Sequence, residues 1–260
     1  MMSNATTPLV FFSLVSLTGG DEEAHRAYNR WHALDHRPEN LALPGVAWGD
    51  RWRRSPELPG AAASEYADTD YVAMYWFREP VRESVRAWDR LGEDSFQWGR
   101  GPLIPGVERR MLAFFRPVKG YASPDALVPP GVLPYRPVQG MHVTITREDA
   151  PHSAAAHERH AFTDRVRMPA LCDLDGVAGA WTFSFSHGQQ HTSLPFSDDT
   201  GGAAPGSLRV ELVYLDGDVA STSAAISATE ADLAGRGPGD EGAATVLRSP
   251  LSTLLPFRDW

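Results

Sequence analysis

The stretch that decides the fold lies at residues 36–46 and reads HRPENLALPGV. A related stretch, RMPALCDLDGV, lies at residues 167–177, and in both a glycine follows a proline by seven positions (45 − 38 and 176 − 169). The two prolines, Pro38 and Pro169, are 131 positions apart (169 − 38), about half of the 260 residues. A repeat of this period predicts two copies of one structural unit.

Two further matches support a duplication. Residues 10–14 align with 141–145 at the same offset of 131 (141 − 10), and both segments have the alternating pattern of a strand. Residues 72–77 align with 210–215 at an offset of 138 (210 − 72), and a loop rich in Gly, Pro and Asp at 195–207 accounts for the longer spacing. Three matches in the same order predict a tandem duplication.

Each half is predicted to run strand, helix, strand, strand, helix, strand. The predicted elements of the first half are residues 9–18, 21–37, 46–54, 70–78, 80–92 and 109–116. Those of the second half are residues 140–147, 153–168, 177–187, 207–215, 218–231 and 244–250. This order is that of the ferredoxin-like βαββαβ unit.

The predicted domains are two such units, at 1–117 and 139–260, joined by a proline-rich segment at 118–138. Proline favours an extended, stiff chain, so that segment is predicted to be a linker. A single unit leaves one apolar sheet face uncovered, and two units can pack these faces together. The predicted fold class is therefore α+β, with two tandem ferredoxin-like units that form a pseudo-dimeric α+β barrel within one chain.

The segment AYNRWHALDHRPE at 27–39, followed by LPGV at 43–46, resembles the dimeric α+β barrel superfamily, and within it the EthD-like branch. Proteins of that branch end their first helix with an acidic residue, His, any residue, Pro and Glu, and then turn through Pro-Gly-Val into the second strand. Residues 35–39 and 44–46 match these two features. The resemblance implies a barrel of two ferredoxin-like units, which usually come from two chains and here come from one.

The second half departs from this motif. Arg167 stands where the first half has His36, and Asp175 stands where it has Pro44. The resemblance therefore implies that a site built on His36 exists once in the chain. The superfamily includes polyketide cyclases, lactone isomerases, cofactor-free monooxygenases and haem proteins, so the resemblance identifies the fold and leaves the function open.

His36 is the leading candidate for a catalytic residue, because imidazole titrates near neutral pH and can both accept and donate a proton. His32 lies one turn earlier on the same helix face and is predicted, with Tyr75, to assist it. The alternative is structural, with His36 packing at the helix end and His32 on a solvated face. Two histidines at this spacing could also bind a metal ion, but no third ligand is suitably spaced, so no metal site is predicted.

Aromatic residues are concentrated in the first half and predict a pocket for a flat organic ligand. Phe11, Trp31 and Trp76 are the predicted substrate-binding residues among them. Many of the aromatic side chains must also belong to the core.

Three residues of the second half are predicted to bind substrate as well. Strand alternation places His142, Arg209 and Glu211 on polar faces, where they could form a buried cluster. An ion pair between Arg209 and Glu211 explains two of the three equally well, because buried charges must be paired.

The composition excludes several classes of protein. The 24 basic and 33 acidic residues give a net charge of −9, so no basic surface for nucleic acid is expected. No apolar run approaches the roughly 20 residues that span a bilayer, and residues 9–17 lack the flanks of a signal peptide. The single cysteine, Cys172, excludes an intramolecular disulfide and a cysteine-based zinc site, so a reducing, cytoplasmic setting is expected.

The sequence thus predicts a small-molecule enzyme without an organic cofactor. His-assisted proton transfer would cyclise, isomerise or eliminate from an apolar or aromatic metabolite. Two alternatives stay open: a haem- or metal-dependent enzyme of the same fold, and a non-catalytic protein that binds an apolar ligand. The chain could be a monomer or a homodimer, because a duplication removes the need for a second chain to close the barrel.

Overall fold

The computed structural model describes residues 7–17, 19–55, 57–100, 105–189 and 203–258. The described strands of the first half are β1 (Leu9–Leu17), β2 (Val46–Arg54), β3 (Ala61–Ala62), β4 (Tyr71–Phe77) and β5 (Val107–Ala122). Its helices are α1 (Glu22–Trp31), a π-helical turn (His32–His36), α2 (Arg37–Leu41), a 3-10 turn (Ser64–Tyr66) and α3 (Val81–Gln97).

The second half repeats this order. Its described strands are β6 (Gly140–Glu148), β7 (Val177–Gly188), β8 (Leu208–Leu215) and β9 (Ala243–Thr253). Its helices are a 3-10 turn (Pro130–Tyr135), α4 (Ala154–Phe162), a second π-helical turn (Thr163–Arg167), α5 (Met168–Cys172) and α6 (Val219–Leu233). The predicted order of elements is confirmed in both halves, with β3 added, and most of the loop predicted at 195–207 lies outside the described residues.

Side-chain caps set the first residues of three helices. Asp21 accepts the backbone N–H of Ala24 at 2.9 Å, and Ser153 accepts that of Ala156 at 3.1 Å. Asp218 caps α6 in the same way. Each cap satisfies a donor that the first helical turn leaves without a partner. None of the helices in the described part of the chain is long and apolar enough to cross a membrane.

The strands form one antiparallel sheet that closes on itself. Its order is β2-β4-β1-β5-β7-β8-β6-β9, and β9 pairs back onto β2, while β3 pairs with β9. Each half contributes four adjacent strands in the same order, and β5–β7 and β2–β9 are the two seams between the halves. The predicted fold class is confirmed: two tandem ferredoxin-like units form a pseudo-dimeric α+β barrel within one chain.

The barrel interior is filled by apolar side chains from both halves. Phe12 packs against Phe183 at 5.1 Å between ring centroids, and Trp76 packs against Trp181 at 5.5 Å. Because successive side chains of a strand point to opposite faces, Phe11 lies on the outer face of β1, under the helices. The helices cover the outer face of the sheet, and the candidate cavities lie between the helices and that face.

The segment at 118–138, predicted to be an extended linker, is packed onto the second half. Its first residues continue β5, where Lys119 and Tyr121 pair with Thr182 and Ala180 of β7. Further on, the indole N–H of Trp181 donates to the carbonyl of Pro130 at 2.8 Å. The sequence reading missed this because strand pairing and burial, rather than proline content, decide the conformation here.

The first helix of each half is longer than predicted and is interrupted by a π-helical turn. The two turns, His32–His36 and Thr163–Arg167, are 131 residues apart (163 − 32), as are β1 and β6. Pro38 and Pro169 follow the turns and have no N–H to donate to the residue four positions earlier. The backbone instead bonds five residues back, which is the mark of a π turn.

Candidate functional site

A cavity of about 100 Å³ lies in the first half, between the helix that carries the π turn and the outer face of the sheet. Aromatic and aliphatic side chains make up much of its wall, namely Phe11, Tyr28, Trp31, Tyr75, Trp88, Leu91 and Leu112. Its polar wall includes His32, His36 and Arg109. The structure thus brings together all three predicted catalytic residues and two of the predicted substrate-binding aromatic residues.

The π turn places its two histidines side by side. The ring centroids of His32 and His36 are 5.5 Å apart, and His36 stacks on Trp31 at 4.7 Å and 22°. The edge of Tyr75 meets His36 at 6.0 Å and 88°. The hydroxyl of Tyr75 lies 3.4 Å from Nε2 of His32, which is itself buried. π turns inside α-helices occur frequently at functional sites.

Asn40 fixes the tautomer of His36. Its side-chain Nδ2 donates to the backbone carbonyl of His36 and lies 3.3 Å from Nδ1 of the same residue. Since an amide nitrogen only donates, Nδ1 accepts and Nε2 carries the hydrogen of the neutral ring. His36 is therefore presented as a hydrogen-bond donor through Nε2.

Both imidazoles are neutral at pH 7. Burial, together with the positive charges of Arg109 and Arg51, lowers the pKa of His36 to about 3. Burial, then Arg51 and His36, lowers the pKa of His32 well below its ordinary value of 6.5. Burial likewise holds the pKa of Tyr75 far above its ordinary value, so its hydroxyl keeps its proton.

Arg51, which is buried, and Arg109, which is partly buried, add positive charge to this region. Arg109 lies in the cavity wall, and burial lowers the pKa of its guanidinium. Arg51, only 3% exposed, lies between the rings of Tyr28 and Tyr71 at 4.7 and 4.6 Å and donates to Asn29 at 2.6 Å. Buried cations of this kind favour negative charge on a nearby ligand.

The sequence reading missed Asn40, Arg51 and Arg109. The signal for the two arginines is a charged residue within a predicted strand, at 46–54 and at 109–116. For Asn40 the signal is its spacing of four residues from His36, which places the two on one helix face.

An ion-pair cluster lies at the cavity wall. Arg100 pairs with Asp35 at 3.2 Å and with Glu39, the two acidic residues of the quoted motif. The carbonyl of Arg100 also accepts the indole N–H of Trp31 at 2.9 Å. These contacts join the segment after α3 to the helix that carries the histidines, and thereby hold Trp31 against His36.

Trp76, a predicted substrate-binding residue, faces away from this cavity. It lies next to Tyr75 in β4, so it points into the barrel interior, where it packs against Trp181 and Phe183. Alternation along the strand gives Tyr75 and Trp76 opposite faces. The prediction that both line one pocket is therefore corrected.

The predicted polar cluster of the second half is dispersed. His142 is 2% exposed and lines neither the first-half cavity nor the cavity that Arg209 and Glu211 line. Glu211 pairs with Arg167 at 2.5 Å, and Nε of Arg209 donates to Nε2 of His160 at 3.1 Å. The alternative of an Arg209–Glu211 ion pair is not formed either, because each has a different partner.

Arg209 and Glu211 do line a second, larger cavity of about 690 Å³. It lies between the helices of the second half and the outer face of the sheet, the position equivalent to the first cavity. Ion-paired side chains form much of its wall, including Glu148 with Arg159 and Glu230 with Arg167. The two halves thus share a layout but differ in the chemistry of their cavities.

Comparison with known proteins identifies the fold only. No family model matches the sequence, and no curated protein matches it. An anthrone oxidase-like protein superposes with a TM-score of 0.53 at 9% identity, over 100% of this chain and 98% of its own. The DyP-type peroxidase of Mycobacterium smegmatis gives 0.53 at 9% identity, over 98% of this chain and 95% of its own.

A third similar structure is a protein from Fusobacterium nucleatum that is provisionally assigned as a monooxygenase. It gives a TM-score of 0.55 at 9% identity and covers 96% of this chain and 94% of its own. The superpositions span nearly the entire chain, so both halves belong to this fold. At an identity this low, structural similarity shows the fold but not the activity.

Proposed function

We propose that the first-half cavity is the active site of an enzyme that moves a proton on a small apolar or aromatic molecule. The reaction would be a cyclisation, isomerisation or elimination without an organic cofactor. The observation that carries the proposal is the pair of neutral imidazoles, His32 and His36, beside the Tyr75 hydroxyl in an aromatic wall. Two adjacent imidazoles with lowered pKa values in a cavity wall are typical of a functional site.

His36 acts as the hydrogen-bond donor to the substrate in this proposal. Its Nε2–H would donate to a substrate oxygen, and Arg109 would stabilise negative charge that develops there. His32 would accept the proton from carbon, because its Nε2 has only the long 3.4 Å contact with Tyr75. As negative charge develops on the substrate, the pKa of His32 rises, which assists its acceptance of the proton.

The cavity limits the size of the substrate. About 100 Å³ is less than the roughly 150 Å³ of an apolar cavity that admits benzene. Without movement of the wall, the group held beside His36 is therefore smaller than a benzene ring. The rest of a longer substrate would extend beyond the wall.

The haem-dependent alternative, which the family resemblance leaves open, concerns the second cavity, because the first is too small for a haem group. The second has His157 and His160 in its wall, and Nε2 of His160 accepts the N–H of Arg209. Haem iron needs an axial ligand with a free lone pair, so His157 would be the candidate ligand there. In the described part of the chain, no group of three or more His, Cys, Asp and Glu side chains is placed to hold a metal ion.

We also propose that the chain is an EthD-like protein that arose by tandem duplication, with units at 1–117 and 139–260. The equal offset of the strands, π turns and following helices supports this, since independent origins would not conserve a 131-residue spacing. A cytoplasmic setting remains part of the proposal.

Native mass spectrometry of the purified protein, followed by assay of any co-purified compound, tests the function. We expect His36→Gln to reduce turnover at least a hundredfold while circular dichroism shows an unchanged fold. His157→Gln, a change at an exposed helix position, serves as the matched control and should keep full turnover. Undiminished turnover in His36→Gln would overturn the proposal, and binding without turnover would favour a non-catalytic ligand-binding protein.

A further inference from the structure

The second-half cavity has one guanidinium more than it has carboxylates to pair with. Its inner charged groups are Arg159, Arg167, Arg209, Arg248, Glu148, Glu211 and Glu230. The ion pairs among them are Arg159–Glu148, Arg167–Glu211, Arg167–Glu230 and Arg248–Glu230. All three carboxylates are thus engaged by guanidiniums other than that of Arg209.

The outer rim of the cavity does not supply the missing charge. Lys119 pairs with Asp164 there, and the remaining lining charges, Arg165 and Asp240, are exposed and opposite in sign. The whole wall therefore keeps the same excess of one positive charge, with His160 neutral because burial lowers its pKa.

Arg209 is the group that carries this excess. It is partly buried on β8, and the one hydrogen bond that its side chain makes to a described residue runs from Nε to Nε2 of His160 at 3.1 Å. No carboxylate of the described residues lies within ion-pair distance of its guanidinium, and neither Nη atom donates to a described residue. A partly buried cation in this state gains from pairing with an anion.

We propose that the second-half cavity binds a small organic acid whose carboxylate pairs with Arg209. A carboxylate matches the planar fork of a guanidinium and carries the single negative charge that the wall lacks. A phosphate dianion would instead leave an extra negative charge near Glu148 and Glu211. This site is separate from the proposed active site, and it does not depend on that proposal.

The shape of the cavity accommodates the body of such an acid. About 690 Å³ is within the range of roughly 300–1,000 Å³ found for small-molecule sites. Phe162 and Leu233 supply apolar wall, and Thr146 and Thr245 supply hydroxyls. The predicted occupant is thus an acid with an apolar or aromatic body.

Thermal unfolding of the full chain tests the proposal, with sodium benzoate as the probe and sodium chloride and sodium phosphate at matched ionic strength. Benzoate at ten times its Kd should raise the Tm of the wild type by roughly 3 °C relative to chloride. Arg209→Gln should lose that shift, and isothermal titration should give at least tenfold weaker binding. Arg236→Gln, which removes an exposed arginine outside the cavity wall, should keep both.

Several outcomes would overturn it. These are a benzoate shift no larger than that of chloride, an equal shift in Arg209→Gln, or a larger shift with phosphate than with benzoate. A shift lost in His36→Gln would place the benzoate in the first-half cavity, which also refutes the proposal, whereas an unchanged shift there separates the two sites.

A measurement on the wild type covers the case in which Arg209→Gln does not fold. Benzoate bound at Arg209 should move the imidazole NMR resonances of His160, the hydrogen-bond partner of that guanidinium. Resonances of His160 that stay unmoved at saturating benzoate would refute the proposed site.

Discussion

At the scale of single residues, His142 shows what a buried polar side chain costs the fold. It is 2% exposed, and neither ring nitrogen has a hydrogen-bond partner among the described residues. Burial lowers the pKa of its imidazole to about 4, so the ring is neutral at pH 7. A buried polar group without partners costs about 1–3 kcal/mol of stability, a cost that an apolar side chain does not carry.

We therefore expect His142→Leu to raise the free energy of unfolding at pH 7 by about 1 kcal/mol. The pKa of His142 is about 4 in the folded chain and 6.5 as the ordinary value. Between these values the unfolded state binds more protons, so wild-type stability falls as the pH drops from 6.5 toward 4. The variant should lose less stability over this window.

Urea unfolding at pH 7 and pH 5 checks this expectation. His157→Gln, at an exposed position, is the control and should keep the wild-type pH dependence. An unchanged or steeper loss of stability on acidification in His142→Leu would contradict the assignment of a neutral ring.

Gly49 makes room for Tyr75 beside the histidines. A Cβ atom at position 49 would lie 2.1 Å from Cδ1 of Tyr75, far inside van der Waals contact. Gly49→Ala should displace the tyrosine ring and destabilise the fold by about 1–3 kcal/mol in urea unfolding. Gly92→Ala in α3, where a Cβ meets nothing within 4 Å, should instead stabilise by about 0.5–1 kcal/mol. Equal effects of the two changes would refute this account.

At the scale of elements, the two π turns are held by arginines in different surroundings. Arg167, at the end of the second turn, bridges Glu211 on β8 and Glu230 on α6, with a side chain only 16% exposed. Arg100 bridges Asp35 and Glu39 of the first helix, but its side chain is 37% exposed. Each arginine thus pairs with two carboxylates, but water screens the pairs of Arg100 more than those of Arg167.

The two arginines should differ in their contribution to stability. Arg167→Gln leaves Glu211 poorly solvated without an ion pair and leaves Glu230 with Arg248 alone, so it should cost about 3–5 kcal/mol of unfolding free energy. Arg100→Gln should cost less than about 1 kcal/mol, because water screens that pair. Urea unfolding of both variants at low and high salt measures the difference, and comparable losses would show that burial is not what separates them.

The elements themselves follow from local sequence, whereas their irregularities do not. Apolar alternation predicts each strand of the two units, and the stripe of α3 predicts that helix. The π turns depend on a proline without an N–H, which stands six residues after the first residue of each turn (38 − 32 and 169 − 163). Pro38 and Pro169 are visible in the sequence, but the choice between a kink, a break and a π turn is made by packing on the sheet.

At the scale of the whole molecule, the two halves share one core. Side chains of β1 and β4 interlock with those of β7 inside the barrel, as the contacts Phe12–Phe183 and Trp76–Trp181 show. The seams β5–β7 and β2–β9 add backbone hydrogen bonds between the halves. One half therefore cannot unfold without exposing the core of the other.

We expect the chain to unfold in one cooperative transition. Phe183→Ala should lower the unfolding free energy by about 3–5 kcal/mol and shift the circular dichroism and tryptophan fluorescence transitions together. Leu127→Ala, at a side chain that is 98% exposed, is the control and should change stability by less than about 0.5 kcal/mol. Two separated transitions would contradict a shared core.

The sequence by itself determined the repeat, the order of the elements and the barrel, because periodicity and the proline–glycine spacing are local properties. It also placed His32, His36 and Tyr75 in one candidate site, and the fold brought them together. Only the tertiary structure decided that Trp76 faces the interior, that Arg51 and Arg109 stand near the imidazoles, and that Arg209 is left without a carboxylate. Those outcomes depend on strand register, burial and charge pairing between distant segments, which no local pattern encodes.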